Sequence, residues 1–118
     1  MNMYTIFLLI FLSTCSLKNI SENSNLEKIT FDINTLDKDG LSGKVSIDYE
    51  FCVPKDKVTA VQKIDPSLKI HPKSKGRSNC NKTQVLAIGN THQLNHKEIL
   101  IQLAELDFIT KLNQVFWE

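Results

Sequence analysis

Residues 80–99, CNKTQVLAIGNTHQLNHKEI, change from a strand pattern to a helix pattern within a few positions. Val85, Leu86, Ala87 and Ile88 stand together and are partly β-branched, the composition of a short strand buried on both faces or nearly so. Gly89 and Asn90 end it, since both tolerate positive φ and favour turns. Asn95 stands at capping-box spacing from Glu98, an arrangement in which two side chains satisfy free backbone donors at a helix start. The spacing predicts a helix from there, with Ile99, Leu103 and Leu106 on the inner stripe, Leu100 and Ala104 widening it, and Lys97, Gln102 and Glu105 turned largely outward.

Upstream, residues 44–53 alternate cleanly: Val45, Ile47, Tyr49, Phe51 and Val53 on one side, Lys44, Ser46, Asp48, Glu50 and Cys52 on the other. This predicts a strand with one buried and one wet face. Pro54 stops it, and Asp56 is placed to cap a short helix bearing Val58, Val61 and Ile64, closed by Asp65 and Pro66. Leu68 and Ile70 alternate with Lys69 and His71 as a shorter strand, followed by a loop over 72–82. Residues 108–117 read as a terminal strand, being β-branched and aromatic at many positions.

The order β-α-β-β-α-β resembles the ferredoxin-like fold, an α+β sandwich in which a four-stranded antiparallel sheet carries both helices on one face. That resemblance implies that the first and third strands are central antiparallel neighbours. The end of the first then lies beside the start of the third, which brings Cys52 and Cys80 within the roughly 7 Å that a disulfide requires. It does not bring the function of the ferredoxin-like copper carriers, which depend on a CxxC loop: here Cys52 is followed by Val53, Pro54 and Lys55.

The chain opens on YTIFLLIFL, residues 4–12, an apolar run shorter than the roughly 20 residues that span a bilayer and of the length of a signal-peptide core. It ends in Leu12, Ser13, Thr14 and Cys15, which resembles the lipobox of bacterial lipoprotein precursors. The resemblance implies a signal peptide over 1–15, lipidation at Cys15, a membrane anchor and a place in the bacterial cell envelope; plain secretion is the alternative. One cysteine for a lipid and two for a bridge fit an oxidising compartment. Residues 16–40 are largely polar and read as a tether, with a short strand pattern at Ile29, Phe31 and Ile33 before the turn Asp37, Lys38, Asp39, Gly40. That turn lacks the EF-hand ligand spacing. Residues 41–118 are then the folded domain.

Fourteen Lys and Arg stand against thirteen Asp and Glu, so no global field draws in nucleic acid or an anionic membrane, and electrostatic recognition has to be local. One local patch exists. Residues 68–83 hold Lys69, Lys73, Lys75, Arg77 and Lys82 without an Asp or Glu, and suit a phosphate- or carboxylate-bearing ligand or protein partner. No aromatic residue interrupts the loop, which argues against single-stranded nucleic acid.

A second candidate is the turn Gly89 to His92 with the helix N-terminus behind it, where Asn90, Thr91 and His92 supply polarity and Lys44 is expected nearby, an anion-binding arrangement. His92 and His96, with His71, raise a metal reading, but an N-cap at Asn95 leaves His92 outside the helix, so the spacing does not give a shared face. No cofactor motif and no catalytic triad is present; Asp48 and Glu50 read as solubilising acids on a wet face. The sequence thus favours a non-catalytic, exported binding domain over a small enzyme or metal carrier using His92 and His96.

Overall fold

The structure, a computed structural model, describes residues 25–117; the leader with Cys15 lies outside the described residues. A small antiparallel hairpin, β1 (Leu41–Ser42) and β2 (Val45–Ser46), precedes the main sheet of β3 (Asp48–Pro54), β4 (Lys69–His71), β5 (Gln84–Asn90) and β6 (Asn113–Gln114). Two helices, α1 (Val58–Ile64) and α2 (His96–Glu105), complete an α+β architecture. The main sheet has the order β4-β5-β3-β6, and every neighbouring pair is antiparallel. β3 and β5 are the central pair, in register from Asp48 opposite Asn90 to Pro54 opposite Gln84.

Directly opposed residues in an antiparallel pair share a face. One face therefore carries Tyr49, Phe51 and Val53 beside Gly89, Ala87 and Val85. The core forms there, with Val61 from α1, Ile99, Leu100, Leu103 and Ala104 from α2, and Leu68, Ile109 and Leu112 from connecting segments. The Tyr49 ring lies across Gly89 so closely that a Cβ at that glycine would meet it at 2.6 Å. Glycine is required there by packing.

Several expectations are corrected. The domain starts ahead of residue 41: Ile29 and Leu36, inside the expected tether, are buried in the core. Ile29 makes a single parallel bridge to Leu112 between two 3₁₀ turns (Leu26–Lys28 and Ile33–Thr35), where a short strand was expected. The strand expected from Lys44 is broken. Gly43 and Lys44 both take positive φ, the conformation of the two-residue hairpin turn whose twist suits antiparallel strands, so β2 belongs to the hairpin and Val45 is 67% exposed.

Asn95 precedes α2 as expected, and the Ile99 N–H bonds its carbonyl, but Asn95 is left-handed and its side chain caps nothing. The capping box does not form. The expected terminal strand shortens to Asn113–Gln114, because Ile109 and Leu112 are drawn into the core and Leu112 bonds back to Lys28 and Thr30.

Glu50, expected on a wet face, is 3% exposed. The loop over 72–82 lies on part of that second face and covers Glu50 there.

Candidate functional site

Three contacts pin the covering loop. Cys80 is bonded to Cys52 with Cα atoms 5.4 Å apart, as the strand adjacency implied. The backbone N–H and hydroxyl of Ser78 both donate to Glu50 Oε2, at 3.0 and 2.8 Å, and Asn113 donates to the Ser78 hydroxyl at 3.1 Å. The third is Gly76, which turns with φ +61° directly over β3 and β5; a Cβ there would stand 2.4 Å from Glu50 Oε2 and 2.7 Å from a Leu86 methyl. A buried carboxylate without donors costs several kcal/mol, so Glu50 and Ser78 form a unit that fixes the loop as well as satisfying the charge.

Between this loop and the turn after β3 lies a cleft of about 470 Å³ lined by Lys55, Lys73, Lys75 and Lys82, with Asn79 and Asn81. Among the described residues no acidic side chain lines it. Among the described residues none of the four ammonium groups has a hydrogen-bond or ion-pair partner. Like charges held together without counter-charges raise the local potential, and a lysine is a mobile point charge suited to oxyanions. Lys73, Lys75 and Lys82 were visible as a run in the sequence. Lys55 was not, because it comes from the end of β3, far away in the chain, and antiparallel pairing sets it beside the start of β5, where its N–H bonds the Thr83 carbonyl at 3.1 Å. Arg77 follows Gly76 and does not line the cleft.

At the turn after β5 the polar groups are engaged internally. Asn90 Nδ2 donates to Asp48 Oδ1 at 2.6 Å and to the Ser46 hydroxyl at 3.0 Å, while its Oδ1 accepts the His92 N–H at 2.8 Å. Thr91 is fully buried; its hydroxyl donates to the Gly40 carbonyl at 2.6 Å and accepts the Ile47 N–H at 2.9 Å. His92 Nδ1 is 2.9 Å from the Asp39 carbonyl, so that nitrogen carries the proton and donates. Lys44 sits in the hairpin turn two residues before Ser46, the residue that Asn90 grips. The turn thereby staples the 37–40 loop to the end of β5.

Gly40 is central to that staple: it has φ +78°, and a Cβ on it would fall 1.7 Å from the Thr91 carbonyl oxygen. Gly40→Ala is expected to lower stability by about 2–3 kcal/mol, from the left-handed conformation together with loss of the Thr91 hydrogen bond. Thermal denaturation followed by circular dichroism checks it, and a melting point equal to that of the parent chain would refute it.

His96 is buried on the first turn of α2, its Nδ1 3.3 Å from the Gln93 carbonyl and its Nε2 without a hydrogen-bond partner among the described residues. His92 and His96 address different carbonyls, and among the described residues no three His, Cys, Asp or Glu side chains converge as a metal would need. Asp37, nearby, is held below the usual carboxylate range chiefly by the backbone N–H of Leu41, then by that of Asp39, with smaller contributions from His96 and His92.

Sequence reasoning missed a buried network under the same turn. Asp65, fully buried, accepts the Tyr49 hydroxyl on one oxygen; on the other it accepts the Ser67 N–H at 3.0 Å, the Ser67 hydroxyl at 2.7 Å and Gln93 Nε2 at 3.0 Å. The Asp65-Pro66-Ser67 spacing, which allows an aspartate to bond its own backbone two residues on, was the available signal.

Compared with known proteins, the chain matches no protein-family model, no curated protein and no solved structure.

Proposed function

We propose that this chain is a small exported, lipid-anchored, non-catalytic binding domain of the bacterial cell envelope that captures a phosphate- or carboxylate-bearing ligand in its lysine cleft. The observation that carries the reading is the cluster of Lys55, Lys73, Lys75 and Lys82 around one cleft with no acid among its described lining residues. A solvated charged loop has no need of a disulfide, a buried carboxylate and a glycine turn to hold its shape; a site that presents cations at fixed spacing does. The strand order β4-β5-β3-β6, with helices after β3 and β5, supports a ferredoxin-like βαββαβ fold elaborated by an N-terminal hairpin. The leader supports export and a lipid on Cys15.

Titration of the full chain with short-chain polyphosphate and with citrate tests the cleft. Lys73→Ala combined with Lys75→Ala is expected to weaken polyphosphate binding at least about tenfold while leaving the fold intact, and raised salt should weaken it further. Affinity unchanged by the substitutions and by salt would refute the proposal. For the anchor, cells given a fatty-acid probe should label the parent chain, and Cys15→Ala should lose both label and membrane association.

A further inference from the structure

The covering loop hides only half of the sheet's second face. Glu50, Cys52 and Leu86 lie beneath it, whereas Asp48, Lys69, His71, Ile88 and Asn90, which the strand register places on the same face, line a cavity of about 440 Å³. Trp117 forms one wall of it. Its indole Nε1 donates to Asp48 Oδ2 at 2.6 Å while the ring stays 70% exposed, so a large apolar plate is held at a fixed orientation in water. Asp48 is spent on that task, since its other oxygen accepts Asn90 Nδ2 at 2.6 Å. Lys69 and His71, on β4, have no hydrogen-bond or ion-pair partner among the described residues. Ile88, half-buried on β5 opposite Lys69, gives an apolar floor.

We propose that this half-face is a second binding site, for a sugar ring bearing an acidic group, stacked on Trp117 with its anionic edge toward Lys69 and His71. A cavity of this volume is within the roughly 300–1,000 Å³ of small-ligand sites, which combine apolar surface with a few placed polar groups. The chemistry selects the ligand class. A flat aromatic ligand such as a nucleobase has two π faces to cover, and among the described residues Trp117 is the one large aromatic plate in this cavity, the small His71 imidazole standing beside Lys69 as a polar group. A pyranose has a C–H face that packs on an indole and an oxygen-rich rim that takes hydrogen bonds, which matches a tryptophan plate opposite a lysine and a histidine. Both Asp48 oxygens are already occupied by neutral donors, which leaves the Lys69 ammonium and the His71 ring as the polar groups open to a ligand, and a carboxylate on the sugar gives that ammonium a counter-charge that a neutral sugar does not. The site shares no lining residue with the lysine cleft and does not rest on it.

The chain contains one tryptophan, so its emission reports on this site alone. The full chain is titrated with glucuronate, with a neutral methyl glucoside and with adenosine. Glucuronate is expected to change the emission saturably and to bind at least about tenfold more tightly than the glucoside. Lys69→Ala with His71→Ala should bring glucuronate down to the level of the neutral sugar, and Lys73→Ala with Lys75→Ala should leave it unchanged. Trp117→Ala, followed by calorimetry, should abolish sugar binding without a change in melting temperature. No saturable response to either sugar, a preference for adenosine, or calorimetric binding that survives Trp117→Ala would each overturn the assignment.

Discussion

Asp65→Ala should cost about 3–5 kcal/mol, the cost of removing one partner from a buried, hydrogen-bonded charged group, applied here to a single carboxylate that serves Tyr49, Ser67 and Gln93 at once. Without it the Tyr49 hydroxyl, buried against Gly89, loses its acceptor, and Ser67 and Gln93 lose the oxygen that holds them. At about 4–8 °C per kcal/mol for a domain of this size, the variant should melt at least about 12 °C below the parent chain. Tyr49→Phe provides the comparison: it leaves Asp65 three of its four donors and should cost less. Equal melting points for Asp65→Ala and the parent would show that the network contributes nothing net.

The same network sets an alkaline limit. Burial first, and the Asp65 carboxylate second, raise the Tyr49 hydroxyl far above its ordinary value, so the folded chain keeps that proton when the unfolded chain has lost it. Above about pH 10, where an unfolded tyrosine ionises, the unfolded state binds fewer protons than the native one and stability falls with rising pH. Denaturant titrations across that range should show a steeper decline in the parent than in Tyr49→Phe.

Replacing Cys52 and Cys80 together by serine is the second large effect, roughly 3–4 kcal/mol for a bridge closing residues separated by 28 positions, taken from the entropy restored to the unfolded chain. The consequence extends to the lysine cleft. Ser78 and Gly76 would still touch Glu50 and Leu86, but Cys80 would no longer hold the end of the loop against β3, so polyphosphate affinity should fall along with stability. Intact mass after alkylation without reductant should show no free thiol on either residue of the parent; finding two would contradict the bridge. Retention of both stability and affinity in the double variant would show that Glu50 and Ser78 alone fix the loop.

Much of the central fold was legible because its signals are local and periodic. Phe51 and Val53, Val85 and Ala87, and the stripe of Ile99, Leu100 and Leu103 each announce their buried face over a few residues, and their order led to the antiparallel β3–β5 pair and the cysteine adjacency. The sequence was silent where burial depends on a partner far along the chain. Glu50 reads as solvent-facing in any alternating strand, and only a loop some 28 residues later, with Ser78 as donor, reverses that. Ile29 stood in a short alternating pattern that gave no sign of its partner Leu112, and Leu36 stands among polar residues, so the burial of either in the core had no local signature. Asn95 had the right spacing for a capping box but adopted a left-handed backbone, which removes its side chain from the helix start. The site divided the same way: Lys73, Lys75 and Lys82 are neighbours in sequence, whereas Lys55 beside them and Trp117 over Asp48 are neighbours only in space.

The outer margins of the main sheet are short. β4 spans three residues and β6 two, flanking the seven-residue strands β5 and β3. A long, flat, unpaired strand margin is a template on which another chain zips up, and proteins blunt such margins with brevity and with lysine. Here brevity acts on both sides, and Lys69 and His71 sit on one of them. Many copies crowded together would therefore find few backbone donors or acceptors along these margins through which to join sheet to sheet.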